Sequence, residues 1–103
     1  GLRMLLVTLG QEGCYYRLGG LSGQVPGFRV HTIDATGAGD AFLGGMLFQI
    51  LQRPKEIHQW TAEEMDASVK FANATGALVT TRKGAIPAMP NLHEIEQLLA
   101  STH

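Results

Sequence analysis

The sequence has one cysteine, Cys14, among its 103 residues. An intramolecular disulfide framework is therefore excluded, and so sparing a use of thiols fits a reducing compartment. Neither sign of charge dominates: eight Lys and Arg stand against nine Asp and Glu, a formal charge of −1. That balance gives no electrostatic reason to expect nucleic acid or an anionic membrane surface as a partner. Long apolar runs are missing too. The longest, around Ala41–Leu51, is broken by Gly44, Gly45 and Gln49 and falls far short of the ~20 residues of a membrane span. Signal-peptide patterns, repeats and low-complexity tracts are also lacking, so the expectation is a cytoplasmic protein without a membrane partner. Hydrophobic residues at 45% against charged residues at 17% describe a chain able to bury a core, in one domain at most. It opens on Gly1 and runs straight into apolar residues, which suggests a piece of a longer polypeptide.

The first 33 residues have the character of strands and turns. Met4–Thr8 is a continuous apolar run, the mark of a buried strand. Leu9-Gly10-Gln11-Glu12-Gly13 supplies turn chemistry, and Cys14–Leu18 carries the β-formers Tyr15 and Tyr16. Gly19-Gly20 turns the chain again, and Gln24–Ile33 has room for one or two short strands broken at Pro26-Gly27. Hairpins at a sheet edge are expected.

From Asp34 the apolar period lengthens towards four. Leu43, Met46, Leu47, Ile50 and Leu51 fall at helical spacing, and Phe42 and Phe48 widen the stripe until the helix should be mostly buried, with Pro54 just past its end. Thr61-Ala62-Glu63-Glu64 is a capping box, with a hydroxyl and a carboxylate placed to satisfy two orphan N–H groups. Behind it Met65, Val69, Ala72, Gly76 and Val79 share one helix face. Trp60, just before Thr61, suits a hydrophobic staple. Arg82-Lys83-Gly84 turns the chain, and Pro87 and Pro90 rule out helix over Ala85–Pro90. Asn91 starts a last helix with Glu94 three residues on and Leu92, Ile95, Leu98 and Leu99 as its buried stripe.

The stretch that carries chemistry is Asp34-Ala35-Thr36-Gly37-Ala38-Gly39-Asp40-Ala41-Phe42. The first N–H groups of a helix lack intrahelical acceptors, and the dipole adds roughly half a positive charge there. With no bulky side chain at Gly37, Ala38 or Gly39, an anion can approach those groups closely. Asp40 would set a carboxylate beside that anion, which is unfavourable unless the acid has a task, such as accepting a proton from a hydroxyl that attacks a phosphoryl group. A Walker loop is excluded because Asp40 stands where Lys is required, and a dinucleotide fingerprint is excluded by Phe42. Plainer roles stay open: Asp40 as a dipole-stabilising acid, Asp34 as an Asx-turn residue, Thr8–Gly13 as an ordinary hairpin turn and Asn73 as a locally bonded helix residue. Cys14 suits a small strand hydrophobe, and the four histidines have no metal-site spacing.

The nine residues from Asp34 to Phe42, with their Gly-Ala-Gly-Asp core, resemble the C-terminal signature of the ribokinase/fructokinase-like sugar kinases, the PfkB family. Val7–Gly13 is similar to that family's nucleotide-binding strand and turn, Phe71-Ala72-Asn73-Ala74 to its adenine-flanking helix, and Thr81–Pro87 to the loop over the nucleotide and a monovalent cation. The resemblance implies an α/β fragment: the C-terminal portion of a ribokinase-like three-layer α/β/α fold, edge strands followed by helices, filling residues 1–103. It implies ATP-dependent phosphorylation of a sugar hydroxyl by the full-length parent, fructokinase-like, with Mg²⁺ and K⁺ as accompanying ions. Ketodeoxygluconate, ribose or a nucleoside are the alternative substrates, and a non-catalytic nucleotide- or anion-binding module is the rival from another class.

By the same resemblance Asp40 becomes the general base, and Gly37, Ala38 and Gly39 the backbone anion hole. Thr8, Leu9, Gly10, Gln11, Glu12 and Gly13 become nucleotide contacts with Gly39 and Asn73. Asp34 and Thr36, with carbonyls of Val79, Arg82 and Gly84, become potassium ligands, while Ala88 stands where some members offer a Ser hydroxyl. The first glycine-rich signature, most sugar-binding residues and the lid are expected in an N-terminal part outside this chain. The fragment alone is then expected to be inactive and prone to self-association, and the parent a homodimer.

Overall fold

A computed structural model describes residues 3–81 and 90–101. Three antiparallel strands form a meander in the order β1 (Met4–Thr8), β2 (Cys14–Leu18), β3 (Leu21–Val25). Thr8 pairs with Cys14 and Leu18 with Leu21, so a 3₁₀ turn at Gly10–Glu12 closes the first hairpin and Gly19-Gly20 the second. Three helices follow: α1 (Ala38–Gln52), α2 (Ala62–Thr80) and α3 (Leu92–Ser101).

Alternation along β2 turns Cys14, Tyr16 and Leu18 to one face, where all three are buried. They meet Phe42 and Met46 of α1 and Trp60, Met65, Val69 and Ala72 from α2 and its approach in one core cluster. A second cluster, Phe28, Phe71, Ala74 and Ile95, lies where α3 packs on α2. The two long helices run antiparallel, since glycines bring Gly45 against Ala72 and Gly76 against Ala38. Their far ends are tied by Arg53, whose Nε donates to Ser68 Oγ at 3.0 Å and whose guanidinium lies over the Trp60 ring.

Local signals at the helix ends are realised in full. Glu64 N–H donates to Thr61 Oγ1 at 3.1 Å and Thr61 N–H to Glu64 Oε1 at 3.0 Å, completing the capping box. Asn91 and Glu94 make the same reciprocal pair at the start of α3. Trp60 and Met65, the residues flanking the cap at the staple positions, are both buried in the same cluster.

Four expectations need correction. Met4–Thr8 is a strand but not a buried one: as an edge strand it leaves Met4, Leu5 and Val7 exposed. Secondly, α1 is not mostly buried: only Ala41, Phe42, Gly45 and Met46 are, because α2 and the sheet cover one side of an apolar stripe that goes most of the way round. Leu43, Leu47 and Leu51 on its open side are 55%, 58% and 84% exposed. Thirdly, the strand expected within Gln24–Ile33 lies earlier, at Leu21–Val25. The two-residue turn starts β3 immediately, Pro26 brings no N–H to continue it, and residues 26–33 have no strand partner among the described residues. Finally, Leu92 is 46% exposed in the first turn of α3, whereas Ile95, Leu98 and Leu99 pack. The turn and proline readings over residues 82–89 lie outside the described residues.

Candidate active site

Two backbone turns and one helix wall meet around a cavity of 270 Å³. The first turn is the β1–β2 connection. Gly10 and Gly13 both take positive φ, +61° and +109°, and Leu9 N–H donates to Gly13 O at 2.7 Å, which folds the turn back on itself. Thr8, Gly10, Gln11 and Gly13 line the cavity, while Leu9 and Glu12 do not.

The second turn leads into α1. Asp34 Oδ1 accepts the Thr36 N–H at 2.8 Å, an Asx turn, and Gly37 caps the helix at φ +83° without a side-chain hydrogen bond. Ala38 N–H is used by Ala35 O and Ala41 N–H by Gly37 O. Between them the N–H groups of Gly39 and Asp40 have no acceptor among the described residues, which leaves the positive end of the helix open to an anion. Ala38 and Gly39 line the cavity. Asp40 is exposed on the next position of the same first turn, and neither it nor Gly37 lines the cavity.

α2 forms the wall. Asn73 lines the cavity, but its Nδ2 donates to Val25 O and Pro26 O at 3.3 Å each, so its amide N–H₂ pins the exit of β3 to the helix. Gly76, Ala77 and Thr80 continue the wall, and Phe28, Val30 and Thr32 close it from the chain between β3 and α1. The sequence does not single out these last six as lining residues, and it marks Ala35 and Phe42 only as members of the Asp34–Phe42 signature and, for Phe42, of the apolar stripe of α1. Phe28, Val30 and Thr32 are every second residue, the alternation of an extended chain, so the strand-like signal there is real although no sheet pairing accompanies it.

Of the expected cation ligands, Asp34 and Thr36 share the Asx turn. Ile33 and Asp34 N–H groups both donate to Thr80 O, at 2.7 and 3.0 Å, which draws that turn to the C-terminal end of α2, where Val79 and Thr80 stand. The Val79 side chain is buried and its carbonyl accepts from Thr81 N–H. Arg82, Gly84 and Ala88 lie outside the described residues. Among the described residues no group of three His, Cys, Asp or Glu side chains could hold a metal ion. Cys14 is fully buried on the sheet face, and burial pushes its thiol up, as suits a packing residue rather than a nucleophile. No described helix is long and apolar enough to cross a membrane.

A glycine-built turn at a helix N-terminus, facing a second glycine turn across an apolar cavity, is an arrangement in an α/β protein that could accept an anionic ligand. Comparison with known families makes the class specific. Residues 1–92 match the model of the pfkB family of carbohydrate kinases, and the chain belongs to that family. It is 46% identical over 98 residues to fructokinase-1 of Zea mays, covering 95% of this chain and 30% of that protein. A fructokinase of Xylella fastidiosa, solved with bound ATP, superimposes with a TM-score of 0.89 at 37% identity, over 95% of this chain and 32% of that one. The fructokinase of Vibrio cholerae O395, solved with fructose, ADP and calcium, gives 0.82 at 38% identity over 93% and 30%. The fold is thus that of a portion of the ribokinase-like α/β kinases. The chain spans about 30% of the length of the curated relatives it matches.

Proposed function

We propose that this chain is the C-terminal, nucleotide-binding and catalytic-base portion of an ATP-dependent sugar kinase, with fructose as the sugar. The observation that carries the proposal is the single cavity on which the 8–13 turn and the Ala38-Gly39 helix terminus both open. Support for ATP and fructose comes from the fructokinases of Xylella and Vibrio, which hold ATP, and fructose with ADP, respectively.

In this reading the base and ribose occupy the space between Phe28, Val30, Asn73 and Ala77, and the triphosphate runs towards Gly39. The sugar hydroxyl oxygen forms a bond to the γ-phosphorus while the bond from that phosphorus to the β-γ bridging oxygen breaks, releasing ADP. Asp40 takes the hydroxyl proton, and the open N–H groups of Gly39 and Asp40 stabilise charge on the transferring phosphoryl oxygens. Mg²⁺ accompanies the nucleotide. A potassium ion suits the oxygen-rich junction of Asp34, Thr36 and the Val79 carbonyl, where it would supply positive charge that orders the anion turn.

The test is Asp40→Asn in the intact polypeptide. A catalytic base requires turnover to fall by roughly 10²–10⁴-fold with ATP affinity retained or improved. Activity that declines only in step with thermal stability would assign Asp40 a structural role and the chain to a non-catalytic nucleotide-binding module.

A further inference from the structure

We infer that Gln11 is a positioning residue, whose side-chain amide latches the chain between β3 and α1 onto the β1–β2 turn and so sets the affinity of the cavity for a nucleoside triphosphate. The inference rests on the nucleotide reading of the cavity. It departs from the role the family resemblance gives Gln11, that of a nucleotide contact.

Residues 26–37 cross from the sheet to α1 without a strand partner among the described residues, yet four of them, Phe28, Val30, Thr32 and Ala35, line the cavity. A segment with no ladder of backbone bonds keeps its place only through side-chain and terminal ties. Its start is held by Asn73 Nδ2 on Val25 O and Pro26 O, and by burial of Phe28. Its end is held by Thr80 O, which accepts from Ile33 and Asp34. The middle is held by Gln11, whose Nε2 donates to Val30 O at 3.2 Å and to Thr32 Oγ1 at 3.0 Å. Both amide hydrogens are thereby committed to the wall. Backbone packing backs the latch: a β-carbon on Gly27 would collide with Gln11 O, so the turn and the crossing segment already touch at its base. Gln11 thus joins the two halves of the rim, the nucleotide turn and the wall at Val30 and Thr32.

The separate tie at Thr80 isolates the consequence. Because Ile33 and Asp34 are anchored independently of Gln11, loosening the latch frees Val30 and Thr32 but leaves Gly37–Asp40 in place. Nucleotide affinity should respond and the chemical step should not.

The experiment uses the intact polypeptide and steady-state kinetics with ATP and fructose. Gln11→Met keeps length and removes both donors. It is expected to raise KM for ATP about three- to tenfold, the effect of two solvent-accessible hydrogen bonds, with kcat and KM for fructose within twofold of the starting protein. Thr32→Val should raise KM for ATP by less, and Thr32→Ser, which keeps the acceptor, should restore it. In a Gln11→Met/Thr32→Val double variant the two effects should not multiply, because they remove the same bond. An unchanged KM for ATP in Gln11→Met, or fully multiplicative effects in the double variant, would overturn the latch. Parallel loss of kcat and thermal stability would equally overturn it, in favour of a general structural role. Absence of ATP-dependent phosphorylation in the unsubstituted protein would instead remove the kinase reading.

Discussion

A β-carbon placed on Gly76 would stand 3.1 Å from the carbonyl oxygen of Ala38. The C-terminal half of α2 therefore presses on the first turn of α1, the turn that carries Gly39 and Asp40. Glycine at this position lets the two backbones approach, and the anion turn inherits its position from that approach.

Gly76→Ala tests the relationship. In a helix interior Ala is favoured over Gly by about 1 kcal/mol, which offsets a contact that a shift of a few tenths of an ångström can relieve. Thermal stability should consequently change little. The shift would fall on the first turn of α1 and move the Gly39 N–H group. Turnover in the intact polypeptide is expected to drop about tenfold, a fraction of the 10²–10³ lost when an entire oxyanion donor is removed. Unchanged turnover would mean that the anion turn tolerates the displacement.

Gly13 and Gly10 should respond differently although both have positive φ. A β-carbon on Gly13 would overlap the Val25 carbonyl oxygen and crowd backbone atoms of Pro26 and Gly27, none of which can rotate away. Gly13→Ala is expected to cost at least ~2 kcal/mol in denaturant unfolding. Around Gly10 there is open space, so Gly10→Ala carries only the left-handed backbone penalty of about 1–2 kcal/mol. Gly10→Asn, which tolerates that conformation better, should carry less. Equal losses at Gly13 and Gly10 would contradict the close approach of the turn to β3.

What was legible in the sequence was local. The Thr61–Glu64 box and the Met65, Val69, Ala72, Gly76, Val79 face describe α2 correctly, because caps and a one-sided stripe depend on neighbours within a few residues. The start of α1 at Gly37-Ala38 was legible for the same reason. Burial of α1 was not: its stripe surrounds the helix, and which side packs depends on distant elements. The cavity wall at Phe28, Val30 and Thr32 was half legible, since alternation predicts an extended chain but says nothing of a missing sheet partner. Gln11 looked like any turn residue, because its partners lie 19 and 21 positions away.

Tyr16 supplies a pH dependence with a fixed sign. It is buried on the inner sheet face, and its hydroxyl donates to Asp66 Oδ1 at 2.6 Å. Burial, with the Asp66 carboxylate adding to it, pushes its pKa up from 10.0 to about 12. The folded chain thus holds this proton more tightly than the unfolded one. The stabilisation is complete below pH 10 and is lost as pH rises through 12. Tyr16→Phe should be less stable than the parent sequence at pH 8 by about 1.5–3 kcal/mol, the net value of one hydrogen bond to a charged group. The gap should close between pH 10 and 12 in denaturant titrations. A gap that stays constant to pH 12 would show that the phenol does not titrate with folding.

The exposed side of α1 gives the last expectation. Leu43, Leu47 and Leu51 recur every four residues and so form one line, with Phe48 beside it. Contiguous apolar surface of this kind is normally covered, and strand β1, an edge among the described residues, adds a row of backbone groups and the exposed side chains of Leu5 and Val7. Isolated in solution, the 103-residue chain should associate with rising concentration and show a light-scattering mass above its 11.1 kDa. Hydrophobic burial should drive the association, so added salt should not dissolve it. Leu47→Lys breaks the helix line and Leu5→Lys guards the strand edge, so the variant that restores the monomer identifies the face responsible. A monomer at every concentration would mean that the α1 line is too narrow to bury against a second copy, leaving longer-range packing within the intact polypeptide as its use.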